Sequence, residues 1–100
     1  MAAYTAIDNP ELYFQVKAYT GDGNDDRAIT FDNTDTSMQP DMCWFKERNS
    51  TSSHALYDAV RGVNKDLRPD TTAAEATDPE LDSLESFDSN GFTISDDGKV

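Results

Sequence analysis

The apolar residues of this chain come in short clusters, and helical periodicity is nearly absent. "FQVKAY", "AITF", "MCWF", "HALYDAV" and "GFTIS" stand apart between runs of Asn, Asp, Gly, Ser and Thr. Short clusters of β-formers bounded by turn residues are the pattern of strands, whereas an amphipathic helix needs apolar residues at i, i+3 and i+4. The chain is thus confined to an all-β fold with short helical turns. One such turn is expected where Asn9 can cap a helix and Pro10 suits its first position, and another after Asp78–Pro79.

Strands are expected over residues 14–19, 28–31, 42–48, 54–60, 84–89 and 92–95, joined as antiparallel hairpins. The last hairpin, "LESFDSNGFTIS", has the clearest signal, because Asn and Gly tolerate the positive φ of a two-residue turn. A turn at Asn90–Gly91 puts Phe87 opposite Ile94, with Phe92 on the same face. In the middle hairpin a loop "NSTSS" sets Arg48 opposite His54, Phe45 opposite Tyr57 and Cys43 opposite Ala59. Cys43, Phe45, Tyr57 and Ala59 then share one face, and Met42, Trp44, Leu56 and Val60 the other. Residues 61–83 read mostly as loop.

With 100 residues the chain makes one domain, which buries only about two thirds of the surface that its unfolded form exposes. Its hydrophobic fraction of 36% lies below the roughly 45–50% of globular proteins. That deficit fits a thin two-layer domain, or one that completes its core against a partner. The net charge of −12 excludes nucleic acid and anionic membranes as partners, since phosphate contacts need Lys and Arg. There is one Cys, so no intramolecular disulfide, and no run of apolar residues long enough for a membrane helix.

The stretch 39–62 holds the only Cys, His and Trp, and so invites a catalytic interpretation. The hairpin pattern argues against it. Cys43 and His54 fall on opposite faces and five rungs apart, or roughly 17 Å at ~3.4 Å per residue. Nucleophile and base must lie about 3 Å apart. Asp22, Asn24 and Asp26 have the spacing that opens a calcium loop, but Arg27 and Asn33 occupy the places of its glycine and glutamate. No catalytic, metal-binding or cofactor-binding set emerges. Trp44 reads as a core residue, or alternatively as a sugar-stacking one.

"QPDMCWFKERNSTSSHALYDAVRGVNKDL", "TTAAEAT" and "LESFDSNGFTI" together resemble a domain of bacteriophage tail and minor structural proteins, marine ones especially. The matching pattern is Pro-Asp, a strand with Trp, Lys-x-Arg, a Ser/Thr loop, and His-x-Leu-Tyr-Asp-x-Val-Arg-Gly. Ser-Phe-Asp-Ser-Asn-Gly-Phe follows later. The resemblance covers residues 13–95, after an N-terminal arm of residues 1–12. It implies an antiparallel β-sandwich of the jelly-roll, lectin-like kind, acting as a virion component by assembly rather than catalysis. Family members continue past the last hairpin, so residues 96–100 are expected to begin a further strand.

The resulting expectation is a tail or tail-fibre protein located in the virion. It would associate with other virion proteins, and with copies of itself, through β-edges and apolar faces. Phe45, Trp44, Tyr57, Phe87 and Phe92 are expected in the core, and Arg48, Asp58 and Arg61 in ion pairs that fix the middle hairpin. Two alternatives stand beside it: a glycan-binding module for a host surface, and a capsid decoration protein.

Overall fold

The computed structural model describes residues 9–32, 37–77, 83–97 and 100. The second helical turn expected after Asp78 lies outside these residues. The first is a 3-10 turn, Pro10–Leu12, in which the Asn9 side chain accepts from the Glu11 N–H at 3.2 Å. Every strand pairing described is antiparallel, so the all-β, antiparallel expectation holds.

Seven strands follow: β1 (Arg27–Thr30), β2 (Met42–Phe45), β3 (Ala55–Asp58), β4 (Lys65–Asp66), β5 (Ala76–Thr77), β6 (Leu84–Asp88) and β7 (Gly91–Ile94). One sheet has the order β1-β7-β6; β2 pairs with β3, and β4 with β5. Leu56 and Leu67 exchange both backbone hydrogen bonds at 2.9 Å, which links the two smaller sheets side by side as β2-β3-β4-β5. One face of each layer is apolar and turns toward the other. Ile29, Phe31, Leu84, Phe92 and Ile94 from the first layer share a core with Cys43, Phe45, Ala55 and Tyr57 from the second.

Phe92 sits at the junction. Its ring centroid lies 5.1 Å from that of Phe45 and 6.0 Å from those of Phe31 and Tyr19, with the Phe31 and Phe45 contacts edge-to-face. Such geometry suits aromatic quadrupoles and adds about 0.5–1.5 kcal/mol per pair beyond the area buried.

The last hairpin turns one step earlier than its Asn-Gly pair suggests. Asp88 pairs with Gly91 and Phe87 with Phe92, leaving Ser89 and Asn90 as the turn. Gly91 is needed for a different reason. Its φ is +151°, and a Cβ there would stand 2.0 Å from the Ile29 carbonyl oxygen of the neighbouring strand. A bulge between Leu84 and Ser86 then restores the faces, so that Leu84 meets Ile94 in the core. Without that extra residue, Leu84 and Phe87 would point to opposite sides.

Two expectations need correction. Residues 14–19 form no strand, although their exposure alternates with a period of two, Phe14, Val16 and Ala18 outward and Gln15, Lys17 and Tyr19 inward. They have no ladder partner among the described residues. Within 61–83, β4 and β5 replace the loop expected; their apolar signal is Ala76 and, just past β4, Leu67. Of the expected C-terminal strand, Asp96, Asp97 and Val100 are described, and the Val100 N–H donates to the Asp97 carbonyl at 3.2 Å.

Gly91→Ala should cost at least the upper end of the roughly 0.5–3 kcal/mol typical of single substitutions. Gly21→Ala, with nothing within 4 Å of the added Cβ, should be near neutral. Denaturant unfolding of the two variants checks the contrast.

Candidate functional site: an open sheet edge and its apolar cleft

The middle hairpin sets the site. Phe45 pairs with Ala55, Trp44 with Leu56, Cys43 with Tyr57 and Met42 with Asp58. This register is shifted by two residues from the expected one. A two-residue shift keeps every side chain on its face, whereas a shift of one would exchange them. The cause lies in the connection 46–54. Lys46 donates to the Glu47 and Ser50 carbonyls, and the hydroxyls of Ser50 and Ser52 both donate to the Glu47 carboxylate. Those two hydroxyls hold the Glu47 carboxyl below its usual range.

Cys43, Phe45 and Tyr57 face the core. Burial pushes the Cys43 thiol up to about 12, which removes the thiolate needed for nucleophilic chemistry at neutral pH. His54 lies beyond the end of β3, against the opposite face, so the structure does not bring the two together. The indole Nε1–H of Trp44 donates to His54 Nδ1 at 2.9 Å, with the rings edge-to-face at 5.8 Å. Trp44, expected inside, is 57% exposed; it occupies the outer face of β2, where no third layer among the described residues covers it. Phe45, Tyr57 and Phe92 are buried, and Phe87 packs half-buried against the core. Asp58 accepts from Arg61 Nε at 2.9 Å, and Arg61 also reaches Glu75 at 3.3 Å. This pair ties β3 to the approach of β5. Arg48 makes no ion pair among the described residues, because it falls in the loop rather than opposite His54.

The backbone of β2 carries the more informative feature. The Ala59 N–H donates to the Asp41 carbonyl at 2.8 Å. Antiparallel pairs alternate between exchanging bonds and not doing so, so Asp41, Cys43 and Phe45 bond toward β3. Met42 and Trp44 therefore aim their N–H and C=O groups away from β3. Leu56, opposite Trp44, follows the same rule and uses its groups on Leu67. Among the described residues, nothing accepts from or donates to the backbone of Met42 or Trp44 on that side.

The outer edge of β6, one of the two edge strands of the first sheet, is treated differently. Gln39 Nε2 donates to the Phe87 carbonyl at 3.0 Å, and Asn90 Oδ1 accepts from the Met38 N–H at 3.2 Å. Residues 38–39 thus lie along β6, and the bulge further breaks its line. Such devices protect an edge from further pairing. β2 has neither.

Beside the β2 edge runs a cleft of about 470 Å³, walled on its other side by residues 12–17 and floored by Tyr19, Phe31 and Phe92. Six large apolar side chains are exposed among the described residues, and five of them line this cleft: Tyr13, Phe14, Val16, Met42 and Trp44. Scattered exposed apolar residues are normal, but a contiguous group of them marks an interaction surface. Sequence reasoning missed this site. Its signal was present in the strand pattern of 14–19, which has no partner strand.

A second polar cluster lies at the far end of β1. Asp26, with φ of 55°, is hydrogen-bonded by Glu85 in the bulge. That hydrogen bond, desolvation and the repulsion between the two carboxylates hold the Glu85 carboxyl above its usual range. Asp22 turns back on the Asn24 N–H at 3.1 Å and pairs with Arg27 at 3.5 Å.

The chain matches the model of the family described as Domain of unknown function (DUF7483) over residues 9–100, and belongs to that family. No curated protein and no solved structure matches it.

Two outcomes follow. His54→Ala removes the acceptor of the Trp44 indole N–H and should change Trp44 fluorescence. A carboxyl raised on folding stabilises the fold while protonated, and its contribution is lost as pH rises through the folded value. Glu85→Gln should therefore weaken the fall in Tm between acidic and neutral pH, as read by thermal melts across pH.

Proposed function

We propose that this protein is a structural component of a bacteriophage virion, in the tail or tail fibre, and acts by assembly with neighbouring subunits. The observation that carries this reading is the open β2 edge beside a cleft that gathers five of the six exposed large apolar side chains. An edge strand with free hydrogen-bonding groups and apolar flanks is suited to pairing with another chain. The resemblance of 39–67 and 84–94 to phage tail and minor structural proteins supplies the biological setting. The chemistry of the middle hairpin supports a non-enzymatic role, since its thiol is buried and its imidazole is bonded to an indole.

The test is compositional. Particles made by the genome that encodes this chain, purified by density gradient, should contain it in multiple copies per particle by quantitative mass spectrometry. Particles that lack it contradict the proposal.

Trp44 favours one further reading, recognition of a host-surface glycan, because it is an exposed aromatic beside His54 and polar loop residues. An apolar ring face that stays wet is what sugar stacking requires. Quenching or a blue shift of Trp44 fluorescence on titration with neutral oligosaccharides, absent in Trp44→Ala, would favour it. An unchanged spectrum removes it.

A further inference from the structure

Resting on the assembly reading, we propose that the occupant of the β2 edge is the same edge of a second copy, paired antiparallel with Met42 opposite Trp44 of its partner.

The backbone dictates the register. Only residues whose N–H and C=O point outward can bond to an added strand, and in β2 these are Met42 and Trp44. Antiparallel pairing of two such edges about a twofold axis is isologous: what one copy offers, the other receives. Centring the axis at Cys43 sets Met42 against the second copy's Trp44 and Trp44 against its Met42. Both rungs then exchange hydrogen bonds in both directions. The ladder ends at Pro40, which has no N–H to give and falls opposite Lys46 of the second copy.

Side chains and charges agree with this register. Even-numbered residues of β2 occupy the outer face, so the exposed Met42 and Trp44 of one copy meet the Trp44 and Met42 of the other. Thioether sulfur against an aromatic ring is a favourable contact. Asp41 precedes the strand, and Lys46, Glu47 and Arg48, one net positive charge, follow it, with the Glu47 carboxylate turned to Ser50 and Ser52. An antiparallel mate therefore brings acid to base at both ends, where a parallel mate would bring like to like. Elsewhere two chains of charge −12 repel, which makes this edge the favourable line of approach.

The segment 13–20, whose residues 13–17 wall the cleft, makes no described hydrogen bond to β2. Its described contacts run to the other layer: Lys17 to Asp32, Tyr19 to Phe92 and to the Arg27 guanidinium, and the Thr20 carbonyl to Arg27. With the β2 edges joined, the outward side chains Phe14 and Val16 of each copy face their counterparts across the axis. The pairing thus covers the backbone edge and the apolar cleft together.

Sedimentation equilibrium of the full chain tests this, with three variants and far-ultraviolet circular dichroism to confirm folding. The wild type should sediment at twice the 11.1 kDa chain mass, and its dissociation constant should fall as salt screens the net charge. Trp44→Lys should be monomeric, since it sets an ammonium against Met42 at both rungs. Combining it with Met42→Glu should restore the dimer, because the new carboxylate and ammonium then oppose each other. Val60→Lys, at a side chain 98% exposed away from the cleft, should leave the dimer intact. A wild type that stays monomeric up to its solubility limit overturns the pairing. So does an oligomer insensitive to Trp44→Lys, although assembly through another surface would then survive. A dimer lost in Trp44→Lys and not restored by the double variant keeps the edge as interface but overturns the register.

Discussion

Phe92 is the contact on which the two layers depend. It is held in β7, the central strand of its sheet, and reaches Phe45 of the opposite hairpin at 5.1 Å. Phe31 and Tyr19 close around the same ring from elsewhere in the chain. A domain of this length has few large side chains to spend on its interior. Much of its cohesion must therefore pass through this group of rings, and β7 must be held close to β1 to place them. Gly91 makes that closeness possible by leaving room for the Ile29 carbonyl.

The same economy explains why one edge is bare. The chain covers β6 with Gln39 and Met38 and breaks its line with a bulge. It extends β3 sideways through Leu56 and Leu67 into two further short strands. Nothing described does the same for β2. Residues 14–20 alternate in exposure, yet their polar and aromatic contacts are made with β1, Asp32 and Phe92. Backbone groups and apolar side chains are left facing solvent on one side of the molecule. On a surface otherwise dominated by repelling carboxylates, that side is where an association can form.

Much of the fold was legible in the sequence, for reasons that differ between elements. Strand faces were readable because a period of two puts Cys43 with Phe45 on one side of β2 and Ala55 with Tyr57 on one side of β3, and their apolar character turns both sides to the core. Register was not, because it depends on how the loop folds. Glu47 gathers Ser50 and Ser52 into a longer connection than "NSTSS" suggests, and Asn90–Gly91 advertises a turn while Gly91 serves a close approach. Trp44 was misplaced for a related reason. Its face was identified, but a tryptophan on a strand carries no mark of whether a further layer covers it. β4 and β5 escaped notice since two-residue strands have too few side chains to show a period. An exposed β-edge was expected, but the strand that carries it could not be read, because it is defined by what does not pair.

The account's central claim is that Met42 and Trp44 present their backbone groups to solvent while Cys43 and Phe45 are tied to β3. Amide hydrogen exchange by NMR, on the chain in dilute solution, tests it residue by residue. The Cys43 and Phe45 amides should exchange slowly, and those of Met42 and Trp44 at rates close to an open chain. Equal protection of all four amides under those conditions would mean that the chain covers its own edge, and would contradict the account.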